Sequence, residues 1–522
     1  MSQIDTSGVE EDRYGRSRLL SNVVWGWGSY LFIFIIGFIM PRLIDRRIGQ
    51  INLGIWDFGW SLVSYLSFSN LGIGSSVNRY VAKYRAVNDI NGLRKAVSSV
   101  AVFQIAVSIF VTIATVAITF LLPFYFSNKL KTNINDAQWV VLLLGLSIAI
   151  EQGFNPFRGV ISGCHRWDLH NALNVFSRIV AFVGMVGVLL LGLGLRELSF
   201  AYMAATLVTE IIRMIYAYRV CPGLKLHISY VRWEQAKEMI LFGWKTVIAT
   251  LSPLIIIQTT NVLVVNFLGP ATLAILSRSV NLTRRVETLT NRFSFVTTPI
   301  AGAMQAGNRS DDIKVFLIES IRYMIAFVLP LILILIFFGD LILTVWMGPK
   351  YANSWVLAIL AIGYFIQISQ SPALRILVGM NLHGRVGVIS LATVLVLYFL
   401  GILVVGKVGW SLISTSLLIS IPLMVGNGVV IFFASCYYFK IQLFEYFRET
   451  FLIPILCSLP MMGIFLFTRL SLTQNTVLRL MVGGVGVMIT FILYWIFIVP
   501  PSFRERAGKF VFKHFYQFGQ YR

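Results

Sequence analysis

Val97–Leu122 reads VSSVAVFQIAVSIFVTIATVAITFLL. These 26 residues hold no charged side chain. As an α-helix at 1.5 Å per residue they extend about 39 Å, enough to cross roughly 30 Å of bilayer hydrocarbon. Similar stretches recur along the whole chain. The sequence predicts fourteen: Leu20–Ile44, Leu53–Ser76, Val97–Leu122, Trp139–Phe154, Leu173–Leu193, Phe200–Tyr218, Met239–Leu268, Ala271–Met304, Val315–Met347, Trp355–Met380, Val386–Val405, Leu412–Phe439, Phe451–Leu470 and Val477–Val499. Backbone polar groups must be satisfied inside lipid, and these lengths suit helices rather than barrel strands. The expected fold is an all-α polytopic membrane protein.

Composition agrees. The chain has 522 residues, of which 57% are hydrophobic and only 12% charged. Its mean hydropathy is +0.79. A soluble domain carries about 25% charged residues, so a string of soluble domains is excluded. Aromatics reach 14%, and no Gly-X-Y period exists, which excludes disorder and collagen-like fibres. The four cysteines form no C-x-x-C pair and the five histidines no metal-binding motif. About 18 polar residues precede the first apolar stretch, which is too long for a signal-peptide core.

The formal charge is +21, from 43 basic and 22 acidic residues. With the N-terminus in the cytoplasm, about 24 basic residues fall on inside segments, about 10 outside and about 9 within spans. The tail residues Arg504, Arg506, Lys509 and Lys513 fall inside, where they also favour anionic headgroups. Trp25, Trp27, Trp346, Trp355 and Trp410 stand near span ends as candidate interfacial anchors. The expected organisation is a cytoplasmic N-terminal segment (1–19), a six-helix bundle (20–220), a cytoplasmic linker (221–238), a second six-helix bundle (239–439), two additional helices (440–500) and a basic cytoplasmic tail (501–522). No connection is long enough to be a soluble catalytic domain.

A trace of duplication accompanies this layout. Asn155-Pro156-Phe157-Arg158 precedes Gly163, and Ser371-Pro372 precedes Gly379. Both the Pro pair and the Gly pair are 216 residues apart. An offset of six spans keeps two halves in the same orientation, with a substrate path between them.

Ionisable residues inside a span cost about 2.5–3.5 kcal/mol each and mark function by default. The eighth span holds Arg278, Arg284, Arg285, Glu287 and Arg292. Arg278, Arg285 and Arg292 drift only about 20° per step of seven and share one helix face over about 21 Å. Polar neighbours such as Ser277, Asn281 and Thr288 suit a helix facing protein or water rather than lipid. The planar arginine fork suits phosphate and stays charged in an apolar site, so this face points to an anionic headgroup. Lys245, Arg178 and Arg375 lie close enough to the cytoplasmic face to snorkel and are further cavity candidates. Glu210, Glu287, Glu319 and Asp57 are candidate carriers of H+ or Na+. The first three also stand in helical register with Arg213, Arg284 and Arg322, with which they are expected to pair. A nucleic-acid partner is not expected, since no groove-reading motif exists.

Several stretches carry a family resemblance. They are Leu53-Gly54-Ile55-Trp56, Tyr65-Leu66-Ser67-Phe68-Ser69-Asn70-Leu71-Gly72-Ile73-Gly74 and Asn78-Arg79-Tyr80-Val81-Ala82-Lys83-Tyr84-Arg85. Asn155-Pro156 through Gly163-Cys164-His165-Arg166 with Asn171, and Asn261 through Leu268-Gly269-Pro270, extend it. The sequence resembles the polysaccharide transporter family: bacterial oligosaccharide flippases of the O-antigen (Wzx-like) type in the MOP exporter superfamily. An Asp is commoner in that family where this chain has Asn261. The resemblance implies two six-helix bundles around a central cavity, usually with two further helices. It implies a transporter, not an enzyme, working by alternating access. The implied cargo is an undecaprenyl-diphosphate-linked oligosaccharide, moved from the cytoplasmic to the periplasmic leaflet of the inner membrane for O-antigen, capsule or exopolysaccharide. Membrane lipid, a polysaccharide polymerase and chain-length proteins are the implied partners. No cofactor is expected beyond a coupling H+ or Na+.

The alternatives are a lipid II-type flippase, a cation-coupled drug antiporter of the same superfamily, and a membrane glycosyltransferase or polymerase. A cation antiporter calls for carboxylates in its cavity, where this chain offers mostly bases. A glycosyltransferase or polymerase calls for a sizeable outer loop with an acidic site, and the first outside loop offers only Asp45.

Overall fold

A computed structural model of the chain describes residues 19–70, 73–307, 310–471, 475–501 and 503–504. Among these residues every regular element is helical. The first helices are α1 (Leu19–Ile48), α2 (Gln50–Ser64), α3 (Ile73–Ala86), α4 (Ile90–Leu130), α5 (Ile134–Gly163), α6 (Trp167–Leu190), α7 (Leu195–Val220) and α8 (Trp233–Leu268). They continue as α9 (Pro270–Phe295), α10 (Thr297–Ala306), α11 (Ser310–Met347), α12 (Ser354–Ser369), α13 (Ser371–Gly379), α14 (His383–Val408), α15 (Leu412–Met424), α16 (Val430–Phe439), α17 (Leu443–Phe447), α18 (Ile453–Ser471) and α19 (Thr476–Phe497). Each predicted span falls on one or more of them. Nine described stretches are long and apolar enough to cross a membrane; Ile90–Gly163 holds two helices that turn at Lys131. The remaining predicted spans fall on α1, on α2 and α3 broken by the 3-10 turn Tyr65–Asn70, on α8, and on the arginine-bearing α9 with α10.

The opening stretch shows what the apolar composition is for. On α4, Val97, Val100, Val107, Val111 and Thr115 are buried, while Ile105, Ile109 and Ile113 are 53%, 56% and 64% exposed. Spacing of four puts those isoleucines on one face. A wide apolar face open to the surroundings suits lipid, not water. α14 does the same with Val396, Phe399, Leu400 and Leu403.

The chain divides into two compact units, Met1–Ser277 and Arg278–Arg522. In the first, α5 packs against α4, α7, α3 and α2, and α6 against α1 and α7. In the second, α12 packs against α11 and α15, α14 against α15, and α18 against α19 and α11.

Helix stops repeat along the chain. Gly49, Lys131, His165, Gly192 and Gly223 have positive φ, and so do Gly269, Gly348, Asn381, Gly409 and Lys440. Taken in order, the offsets are 220, 217, 216, 217 and 217 residues. Positive φ interrupts the α-helical repeat, and each of these residues stands at or just beyond a helix end, so these positions set helix lengths and turns. A close approach repeats as well. A Cβ on Gly163 would lie 2.8 Å from the Asn78 carbonyl oxygen and 2.7 Å from Val81 Cβ. One on Gly379 would meet the Thr298 carbonyl oxygen, with Ala301 Cβ at 3.2 Å. Thr298 and Ala301 each lie 220 residues after Asn78 and Val81.

Candidate functional site

Three helices of the first unit converge on a buried ion network. α7 places Glu210 and Arg213 three residues apart, and both are 1% exposed. Arg213 Nε lies 3.3 Å from Glu210 Oε2. Arg158 of α5 bonds the other oxygen of Glu210 and reaches Glu151 Oε2 at 3.7 Å. Arg213 Nη2 also donates to Asn174 Oδ1 of α6 at 3.0 Å. A charge this deep persists only when paired and hydrogen-bonded. The pairing of Glu210 with Arg213 is the one expected from local spacing. Arg158 escaped that reasoning because 52 residues separate it from Glu210.

In the second unit α9 runs unbroken through Arg278, Arg284, Arg285 and Arg292. Arg278 is 1% exposed, Arg285 is half-buried and Arg284 is exposed. The Arg292 side chain lies outside the described residues, as does that of Lys245 on α8. Glu287 accepts a hydrogen bond from Gln367 Nε2 of α12 at 3.0 Å. Arg284, to which local spacing pointed, is exposed and forms no direct ion pair with Glu287, though the two still interact electrostatically. Arg375 of α13 holds its guanidinium 5.5 Å from the centre of the Phe295 ring. Arg178 is exposed on α6, and Asp57 is half-buried on α2.

One predicted pair is corrected. Arg322 does not take Glu319, which is exposed. Its Nη2 donates to Glu449 Oε2 at 2.9 Å and its Nε to the Glu449 carbonyl at 2.6 Å. A π-helical turn at Arg448–Leu452 carries Glu449 to it. A second pair, between residues far apart in the chain, lies near the C-terminus. Arg479 of α19 donates to the Phe337 carbonyl at 2.6 Å and lies 3.4 Å from Asp340 Oδ1, tying the last helix to α11.

Asn261 on α8 has a physical reason to differ from an acid. Its Nδ2 donates to Ser61 Oγ at 2.9 Å, and that hydroxyl donates to the Asp57 carbonyl at 2.8 Å. With the serine proton engaged on the Asp57 carbonyl, Asn261 acts as donor to the hydroxyl oxygen. An ionised Asp has no such donor.

Comparison with known proteins places this architecture. The family model described as polysaccharide biosynthesis protein matches residues 19–305, more than half of the chain. The chain belongs to that family. A protein of Shigella flexneri named as an O-antigen transporter is 23% identical over 366 residues, covering 66% of this chain and 81% of that one. Among solved structures, the lipid II flippase MurJ in an inward closed conformation superposes with a TM-score of 0.69 at 13% identity. That match covers 91% of this chain and 98% of the other. A multidrug resistance MATE transporter of the MOP superfamily, inward-facing, gives 0.66 at 14% identity over 78% and 94%. This polysaccharide biosynthesis family member is thus a multi-pass membrane protein with the MOP-superfamily fold.

Proposed function

We propose that the chain is a flippase carrying an undecaprenyl-diphosphate-linked oligosaccharide from the cytoplasmic to the periplasmic leaflet of the bacterial inner membrane, for surface polysaccharide assembly. Family membership and the S. flexneri relative support a role in polysaccharide transport. The observation that carries the headgroup assignment is α9, with four arginines and one glutamate on a single helix of a chain otherwise poor in charge. Arg285 and Arg292, with Arg278 and Arg284, receive the pyrophosphate; Lys245, Arg178 and Arg375 guide it from the cytoplasmic side. The bundles 20–220 and 239–439 alternate access about the site, with both termini cytoplasmic. The recurring helix stops support their origin by duplication. Coupling to H+ or Na+ runs through a carboxylate among Glu210, Glu287, Glu319 and Asp57.

The test is flipping of a labelled lipid-linked oligosaccharide in proteoliposomes. Arg285→Ala and Arg292→Ala should abolish it, and Arg285→Lys should impair it if the fork grips phosphate at two points. Wild-type rates in the alanine variants would defeat the assignment. Transport that survives collapse of both ion gradients would remove the coupling role. The likeness to MurJ over most of the chain favours one second reading, lipid II itself as cargo. Competition between lipid II and the oligosaccharide lipid separates the two.

A further inference from the structure

A cavity of about 780 Å³ opens at the end of the first unit where α3 meets α4, α5 meets α6, and α7 ends. The charge asymmetry of the sequence assigns this end to the cytoplasm. Arg85, Arg166 and Arg219 stand on its wall, with His165, the paired thiols of Cys164 and Cys221, and one carboxylate, Asp89. That carboxylate is engaged in starting the helix that follows it: Asp89 Oδ1 accepts the Gly92 N–H at 2.8 Å and caps the N-terminus of α4. Arg166 is held by Asp168, Nε to Oδ1 at 3.0 Å. Arg219 lies 5.7 Å from the centre of the Tyr216 ring. Among the described residues neither Arg85 nor Arg219 forms an ion pair.

The second unit serves as an internal control. At the offsets set by the helix stops, Arg166 corresponds to Leu382 and Arg219 to Cys436, while Arg85 falls in Gly302–Gln305. None of those residues is basic. The frame of turns therefore forms without these cations, and a purely structural role does not account for them. The volume is within the range of small-molecule sites, and guanidinium groups bind phosphate oxygens in pairs.

We propose that this cavity binds a phosphate-bearing ligand, separately from the cargo site on α9. The ligand is either a soluble diphosphate compound or the headgroup of an anionic phospholipid. The cavity is lined from one unit only, so the proposal holds whichever lipid is carried.

The experiment uses the full chain in phospholipid-free detergent. Inorganic pyrophosphate is titrated against sulfate as an ionic-strength control, and dihexanoylphosphatidylglycerol against dihexanoylphosphatidylcholine. Binding is read by 31P line broadening and by thermal unfolding. Expected is binding of at least one of the two probes, weakened about tenfold or more in the Arg85→Gln/Arg219→Gln double variant, which loses two charge-assisted contacts. Lys407→Gln should bind as wild type. Pyrophosphate binding assigns a soluble ligand, and phosphatidylglycerol binding alone assigns a lipid headgroup. Binding that is absent, or equal in wild type and the double variant, overturns the proposal. Binding lost in Arg285→Ala but kept in the double variant also overturns it, and leaves the function proposed above standing.

Discussion

The two halves of the chain share their turns and differ in their charges. Gly163 and Gly379 meet corresponding backbone, and five positive-φ stops recur at offsets of 216 to 220 residues. Asn174 and Glu210 in the first half correspond to Ser390 and Asn427 in the second. There Ser390 Oγ donates to Asn427 Oδ1 at 2.9 Å, a neutral contact in place of an ion network. Asn427 lies in the π-helical turn Val425–Val429, a device often found at functional positions. Conversely, Arg278, Arg284 and Arg285 correspond to Phe58, Ser64 and Tyr65. What repeats is what the backbone needs in order to turn and pack. What breaks the repeat is charge placed where lipid should exclude it, and there the functional residues are to be sought.

The largest test of this contrast compares Glu210→Leu with Asn427→Leu. Removing Glu210 leaves Arg213 buried without its carboxylate, a loss of about 3–5 kcal/mol. Losing the neutral contact at Asn427 should cost about 1 kcal/mol. Thermal unfolding in detergent measures both, and equal shifts would erase the distinction between the halves. Next come the repeated glycines. Gly163→Ala and Gly379→Ala should each destabilise by about 1–3 kcal/mol through overpacking. The effect should be greater at 379, where the backbone carbonyl stands closer than at 163. Gly387→Ala meets nothing within 4 Å and should be neutral or slightly stabilising. A tolerated Gly379→Ala would show that the close approach is not shared.

The smallest effect concerns reactivity. The Cys164 thiol donates to Cys221, which raises the Cys164 pKa, as does burial. The same hydrogen bond lowers that of Cys221; burial opposes it and the Arg85 guanidinium adds to it. Cys221 therefore forms thiolate at lower pH and should be alkylated ahead of Cys164, as read by mass spectrometry. Arg85→Gln should slow that reaction. Modification of Cys164 first would reverse the assigned direction.

Much of the fold was legible because a bilayer imposes a one-dimensional rule. A segment such as Val97–Leu122 must be helical wherever it sits, since no water is present to satisfy its backbone. The pair Glu210–Arg213 was equally legible, being set by one helical turn. Arg322 was misjudged by the same logic: Glu319 stands at the right spacing but is exposed, and Glu449, 127 residues away, takes the guanidinium. Arg158 and Arg479 were missed because their partners lie 52 and 139 residues away.

The amino-acid sequence by itself determined the membrane class, the helices and the arginines of α9, because apolar length and local register need no knowledge of neighbours. Tertiary structure alone decided which charges meet, why residue 261 is an amide, and that Arg85, Arg166 and Arg219 share one cavity. Those outcomes depend on contacts between helices distant in the chain, and local pattern carries no record of them.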